Sequence, residues 1–387
     1  MATSERRAAP TMMRAVRQTR ARVDLGALAR NFAAIQALVR GDDTVAPPRV
    51  MPVVKANAYG HGAARVARAL EAAGAPMLAV ADIEEGVTLR DAGVTVPILV
   101  FGALSISDVA GVFAHRLTPT VSSPWAARAL AEAAAAGGER LACHLKIDTG
   151  MHRLGFRHDN LARTLPPILS SPHLHVEAIY THFATADDHE HPLFEQQRTR
   201  FDAARATAQR LGLGRAAVHA ANSAALLRDT RAWFDYVRPG LLLYGVVPPP
   251  VATTLALEPV LSLQSRVVAV KQIRSNESVG YGARYVADGP RTIAVIPAGY
   301  ADGLDTRLGG RGHVLLRGRR APIVGSVCMD MLTVDVTGLD VEPGDEAVFI
   351  GTQGDERIDA REMAAAIGTI PWEILCRIGT RIERVYA

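Results

Sequence analysis

The chain has 387 residues, 49% of them apolar and 21% charged, which excludes a disordered or fibrous protein and allows two domains with sizeable cores. Its formal charge of +4 looks like a nucleic-acid signal, but residues 1–22 hold six arginines against the single acid Glu5, so the rest of the chain is close to neutral. No apolar run reaches the roughly 18 residues of a membrane span. The basic tail, interrupted by Arg14, lacks the apolar core of a secretory signal. These features predict a cytoplasmic protein with no membrane and no nucleic-acid partner. Cys143, Cys328 and Cys376 are odd in number and far apart, which argues against a disulfide framework or a zinc ribbon; they read as buried thiols.

Beyond the tail, taken as residues 1–22, short apolar runs bounded by turns recur: RVMPVVK, PMLAV, VPILVFG, LTPTV, LACHLKI, VEAIYTH, AAVHAA and FDYVRPG. Helical patterns such as HGAARVARALEAAG lie between most of them. Continuous apolar runs suit strands buried on both faces, so the eight βα units predict an α/β fold, a TIM-type (β/α)8 barrel over residues 23–250. AEAAAAGG reads as a helix ended by its glycines. VPPPVATT, a proline cluster that helices and central strands exclude, marks a linker. Over residues 251–387 the runs VLSLQSRVVAVKQI, RTIAVIPAGY, HVLLRG, APIVGSVCMDMLTVDV and DEAVFIG predict a mainly β C-terminal domain.

Among 43 lysines and arginines, only Lys55, Lys146 and Lys271 are lysine. Arginine cannot become a neutral amine, so a lysine kept in such a chain invites a chemical explanation. Barrels of this kind carry their chemistry at the C-terminal ends of their strands. There stand Lys55, Lys146, His182, Asn222, Ser223 and Arg238. Each alone reads as a surface charge or a satisfied loop residue; together they define one mouth. Ser223 and the Gly240 backbone follow the seventh and eighth strands, where such barrels hold phosphate. A phosphate site beside a lysine suggests pyridoxal 5'-phosphate, whose aldehyde forms an imine with a lysine amine. Lys271, in a strand of polar alternation, reads as surface. DDHEH at 187–191 has no usual ligand spacing and reads as a solvated loop, with no metal. RLGGRGHVLLRGRR is basic but lacks interleaved aromatics, so it is not read as a nucleic-acid surface.

The motifs VVKANAYGHG, KIDTGMHRLG, YTHFATAD, HAANSAA, VRPG, VGYGARY, GYADG and GSVCMDM, in this order, resemble those of alanine racemases, pyridoxal-phosphate enzymes of fold type III. The resemblance covers nearly the whole chain from Val23. It implies interconversion of L- and D-alanine, supplying or degrading D-alanine for cell-wall peptidoglycan metabolism. Lys55 would carry the cofactor and act as one acid/base group. Tyr281, supplied across a homodimer with shared active sites, would act as the other, one group per face of a planar intermediate. Tyr59, Ser223 and the backbone of Gly240 and Leu241 would hold the phosphate. Arg238 would face the ring nitrogen and leave it unprotonated, which shortens the life of the carbanion and disfavours transamination. His182, against both Arg238 and Tyr281, would ease loss of the phenolic proton. Arg153, with the backbone of Met329, would bind the substrate carboxylate, and Arg153 would also contact the cofactor's phenolic oxygen. Lys146 would be carbamylated, becoming an anion that holds Arg153.

Two positions depart from the family pattern: His152, where a small or amide residue is usual, and Thr380, where some members place a tyrosine near the phosphate. They bear on entrance shape and cofactor affinity. Two other readings stand beside the leading one. A pyridoxal-phosphate decarboxylase of the same plan expects an acid where Arg238 stands; a non-catalytic cofactor carrier needs neither Tyr281 nor a second domain. Serine stays open as a further substrate.

Overall fold

The computed structural model describes residues 18–41, 46–102 and 109–387. The described chain opens on strand β1 (Arg20–Val23) and enters the barrel through the helix Leu25–Arg40. The barrel strands are β2 (Arg49–Val50), β3 (Leu78–Val80), β4 (Ile98–Val100), β5 (Thr118–Val121), β6 (Leu141–Asp148), β8 (Leu174–Tyr180), β9 (Ala217–His219) and β10 (Tyr236–Val237), while the two-residue β7 (Phe156–Arg157) leans on β6. All pair in parallel in the order β2-β10-β9-β8-β6-β5-β4-β3. A parallel bridge from Val53 to Ala79 closes the ring. The eight apolar runs read from the sequence are these eight strands. β3, β4 and β5 are buried at every residue, as expected of strands covered on both faces.

The helices follow from their ends and stripes. Leu25–Arg40 starts where the Asp24 carboxylate accepts from the Ala27 N–H at 2.8 Å. It buries Ala27, Leu28, Asn31, Phe32, Ile35 and Val39, the spacing of one helical face. The alanine-rich Pro124–Gly137 is capped by Ser123, starts on proline and stops at left-handed Gly138.

The second domain is a mainly antiparallel sheet, with two helices, Ala360–Ile367 and Pro371–Cys376, before its last strand. Here the N-terminal expectation changes. β1 lies between β11 (Leu261–Arg266, antiparallel) and Glu383–Tyr386 (parallel), so Arg20 and Arg22, read as tail, belong to the second sheet. The reason is its alternation: both arginines point to solvent while Ala21 and Val23 are buried. Residues 1–17 of the expected tail lie outside the described residues. The thiol reading is also corrected. Cys143 is buried, Cys328 half-buried and Cys376 exposed.

Candidate active site

At the C-terminal mouth of the barrel lies a cavity of about 450 Å³. Lys55 reaches it from an unusual piece of backbone. Ala56, Asn57, Ala58 and Tyr59 have φ of +52°, +53°, +54° and +52°, a complete left-handed turn made without glycine. Each such residue costs about 1–2 kcal/mol relative to the right-handed form. The turn brings both Lys55 and Tyr59 to the cavity.

Beside Tyr59 lies a cradle of backbone N–H donors. Ser223 Oγ accepts from the Gly240 N–H at 3.0 Å and faces the Leu242 N–H at 3.5 Å. A Cβ on Gly240 would lie 2.3 Å from Tyr59 Oη, so only glycine lets the phenol sit against this backbone. Leu241 lines the cavity as well.

Arg238, 3% exposed, lines the same cavity. Its guanidinium donates to the carbonyls of Thr181 and Ala220, both at 2.9 Å, and meets His219 Nδ1 at 2.8 Å and His182 Nδ1 at 3.1 Å. Because a guanidinium only donates, both imidazole Nδ1 atoms accept. This fixes their tautomers, with the proton on Nε2 in each. His219 Nε2 therefore donates to His144 Nδ1 at 3.0 Å, and His182 keeps an N–H for the cavity. Burial, then the Arg238 charge, holds His182 and His219 well below the ordinary histidine range, so both are neutral. Burial also lowers Arg238, to about 10, which leaves it charged at neutral pH.

The two lysines are shifted by the same physics. Burial, then the Arg153 charge, lowers Lys55. Burial, Arg153 and Arg238 lower Lys146 to about 8. Lys146 sits two residues inside the end of β6 rather than at its end, 5.7 Å from the Tyr180 ring centroid.

Nine of the eleven residues assigned to the site therefore share one cavity: Lys55, Tyr59, Lys146, Arg153 and His182, with Ser223, Arg238, Gly240 and Leu241. Tyr281 and Met329 do not. They lie on the second domain, 79% and 52% exposed, outside the cavity of their own chain. Of the two departures, His152 takes φ +55°, a conformation that favours small or amide residues. Its Nδ1 is 3.1 Å from Asp148 Oδ2, and the residue does not line the cavity. Thr380 is exposed and does not line it either. Other lining residues were not anticipated, Tyr180, Trp372 and Asp187 among them. Tyr180 stacks on His219 at 4.5 Å and shares a hydrogen bond with Thr120 Oγ1 at 2.9 Å. Trp372 comes from the second domain of the same chain, and Asp187 from the loop read as solvated. Among the described residues no cluster of histidine, cysteine or acidic side chains is arranged to hold a metal ion.

This arrangement has counterparts. Residues 23–248 match the family model "Alanine racemase, N-terminal domain" and residues 260–386 match "Alanine racemase, C-terminal domain". The chain belongs to the alanine racemase family. An alanine racemase of Carboxydothermus hydrogenoformans is 42% identical over 95% of this chain and 98% of its own length. The crystal structure of alanine racemase from D-cycloserine-producing Streptomyces lavendulae superposes with a TM-score of 0.91 at 34% identity, covering 96% of this chain and 97% of that one. The structure from Bartonella henselae, with covalently bound pyridoxal phosphate, gives 0.86 at 29% identity over 96% and 100%. Within the alanine racemase family, the barrel and the β domain are thus both accounted for, joined by a stretch without helix or strand, the proline-rich segment expected as a linker.

Proposed function

We propose that this protein interconverts L- and D-alanine with pyridoxal 5'-phosphate held through Lys55, in a homodimer whose two sites are each completed by the other chain. The observation that carries the reading is the division of the machinery: one cavity fitted to the cofactor, and an exposed tyrosine with no place in it.

The residues present fit pyridoxal phosphate. The cavity offers an amine that burial favours in its neutral form, a donor cradle from which any Cβ at residue 240 is excluded, and a buried cation whose hydrogen-bond partners are imidazoles and carbonyls. Tyr59, Ser223 and the N–H groups of Gly240 and Leu241 would bind the phosphate, and Arg238 would face the ring nitrogen. Bound there, the cofactor supplies an electron sink that acidifies the Cα–H of the substrate. Arg238 never yields its proton to the ring, so the sink stays weak, which favours return of the proton over transamination. A decarboxylase would be served by an acid at this position.

Lys55 Nζ takes or returns the Cα proton on one face, and Tyr281 Oη of the partner subunit does so on the other. His182 presents its Nε2–H to that oxygen. Arg153 and the Met329 N–H of the partner subunit bind the substrate carboxylate. Lys146, neutral in a large fraction of molecules near pH 8, takes up carbon dioxide to become an anion that orients Arg153. The setting we assign is the cytoplasm, where D-alanine feeds or leaves peptidoglycan metabolism; no helix among the described residues is long and apolar enough to cross a membrane. Purified protein given L-alanine should form D-alanine and no carbon dioxide. Carbon dioxide without D-alanine would overturn the reading.

A further inference from the structure

The left-handed turn after Lys55 makes the hydrogen bonds that a right-handed turn would also make, such as Ala58 N–H to the Val54 carbonyl at 2.9 Å and Gly60 N–H to the Ala56 carbonyl at 3.0 Å. Those bonds do not explain why the costlier hand is adopted. Neighbouring groups accept and donate at the two ends of the turn. At the N–H end stands Glu85. Its Oε1 accepts from the Ala56 N–H and its Oε2 accepts from the Ala81 N–H at 2.8 Å; burial raises the Glu85 pKa, and these two N–H groups, with that of Asn57, oppose the rise by favouring the carboxylate. One carboxylate thus ties the turn to the end of β3. At the carbonyl end stands His61, fully buried, with Nδ1 at 3.0 Å from the Ala58 oxygen and 2.9 Å from the Tyr59 oxygen. Facing two acceptors, Nδ1 carries the proton. The His61 ring packs on Tyr244 at 4.4 Å, and Tyr244 packs on Tyr59 at 5.1 Å.

We propose that Glu85 is a positioning residue of the active site: with His61 it clamps the turn Ala56–Tyr59 in its left-handed form, and so presents Lys55 and Tyr59 to the cavity. This rests on the functional reading above. Glu85 does not line the cavity, so it acts through the turn and not on substrate. A carboxylate suits the task because each oxygen takes an N–H from a different element. A glutamine offers one oxygen and an NH2 that meets the second N–H donor to donor.

The test couples the clamp to the strain it opposes. Holoenzyme of Glu85→Gln should release pyridoxal phosphate about tenfold faster than wild type, read as loss of visible absorbance. Glycine takes the left-handed conformation freely, and the Ala56 side chain is exposed, so Ala56→Gly alone should stay within about twofold of wild type. In the Glu85→Gln background, Ala56→Gly should bring release back to within about threefold of wild type. Unchanged release in Glu85→Gln, or losses that merely add in the double variant, would overturn the proposal, because a carboxylate acting only as general packing or as a charge near Lys55 gains nothing from a glycine in the turn. If Glu85→Gln does not fold alone, a soluble, cofactor-retaining double variant supports the clamp and an insoluble one defeats it. If wild-type protein takes up no pyridoxal phosphate, the functional reading fails while thermal midpoints still judge the clamp: Ala56→Gly must recover at least half of the midpoint that Glu85→Gln loses.

Discussion

In the proposed homodimer the barrel mouth and the second domain would each hold one half of the reaction, and the two regions are built in opposite ways. At the mouth, hydrogen bonds settle the side chains before any substrate arrives: Arg238 fixes two histidine tautomers, and Ser223 gathers the N–H groups of the cradle. On the second domain, Tyr281 stands in a short turn whose carbonyl accepts from Ser326 Oγ at 2.8 Å, while the residue remains 79% exposed. Tyr300, Met329 and Met331, large side chains of the same domain, are 45%, 52% and 49% exposed. Folding alone organises the first half. On the reading proposed above the second half is left to association, and a domain that exposes several large apolar side chains is the kind that a partner covers.

The largest expected effects break this comparison at its centre. Lys55→Ala and Tyr281→Phe should each lower racemisation by about a thousandfold or more, and borohydride should fix the cofactor on the peptide containing residue 55 only in chains that retain Lys55. Tyr281→Phe should leave the thermal midpoint nearly unchanged, because its ring is exposed in the chain. When the two inactive variants are unfolded, mixed equally and refolded, half the dimers should be hybrids with one intact site, giving roughly a quarter of wild-type activity. No recovery in verified hybrids would mean that each site belongs to one chain, and the contrast between the two regions would lose its meaning.

Next in size is Lys146. Lys146→Ala should lose a large part of the activity and regain some with a short carboxylic acid, while labelled bicarbonate should give a carbamate signal in wild type alone. The pH dependence follows from the direction of the shift. The folded pKa, about 8, lies below the unfolded value of 10.5, so unmodified folded protein carries a buried-charge cost that is full below pH 8 and is relieved as pH rises from 8 towards 10.5. The carbamate signal should fall as pH drops through 8, because only the neutral amine reacts. A signal that is flat from pH 9 to pH 6 would remove Lys146 from this role.

How much of this was legible in the sequence depended on whether the signal was local. The eight barrel strands announced themselves as apolar runs, Lys55 and Lys146 stood out by residue type at or near strand ends, and Arg238 stood out by its position at one. β1 was hidden because its two arginines resemble the tail before them, although Ala21 and Val23 supply the alternation of a strand. The left-handed turn has no compositional mark: KANAY holds alanines that favour the right-handed helix, and on the proposal above the hand is held by Glu85 and His61. Trp372 was out of reach for another reason. It joins the cavity across more than three hundred residues from Lys55, and nothing within its own segment records that contact.

A smaller effect sharpens the account of the mouth. His219→Leu removes the acceptor of Arg238 Nη1 and leaves a buried N–H without a partner, which costs about 1–3 kcal/mol. Racemisation should fall about tenfold, with a change in the absorbance of the bound cofactor, because Arg238 then loses the anchor of Nη1 while Nη2 stays held by Thr181, Ala220 and His182. His219→Asn keeps an oxygen near the Nδ1 position and should retain most of the activity and the wild-type spectrum, although it gives up the bond to His144. Equal losses in both variants would mean that ring packing on Tyr180, and not the tautomer chain, is what matters.

The smallest effect comes from the third lysine, and it tests whether the lysines of the mouth are special at all. Lys271 lies in the strand Ala269–Ile273, which among the described residues pairs only with Arg291–Ile296 and forms one edge of the second sheet. Its side chain is exposed, and a long cation on an edge strand discourages pairing with another chain whether it ends in an ammonium or a guanidinium. Lys271→Arg should therefore shift stability by less than about 0.5 kcal/mol, read as a thermal midpoint within about a degree or two of wild type, and leave racemisation unchanged. Lys55→Arg and Lys146→Arg, equally conservative in charge, should each lose most of the activity, since a guanidinium supplies neither an imine-forming amine nor a site for carbon dioxide. If Lys271→Arg were as damaging as the other two, the scarcity of lysine would reflect composition alone, and residue type would no longer separate the mouth from the surface.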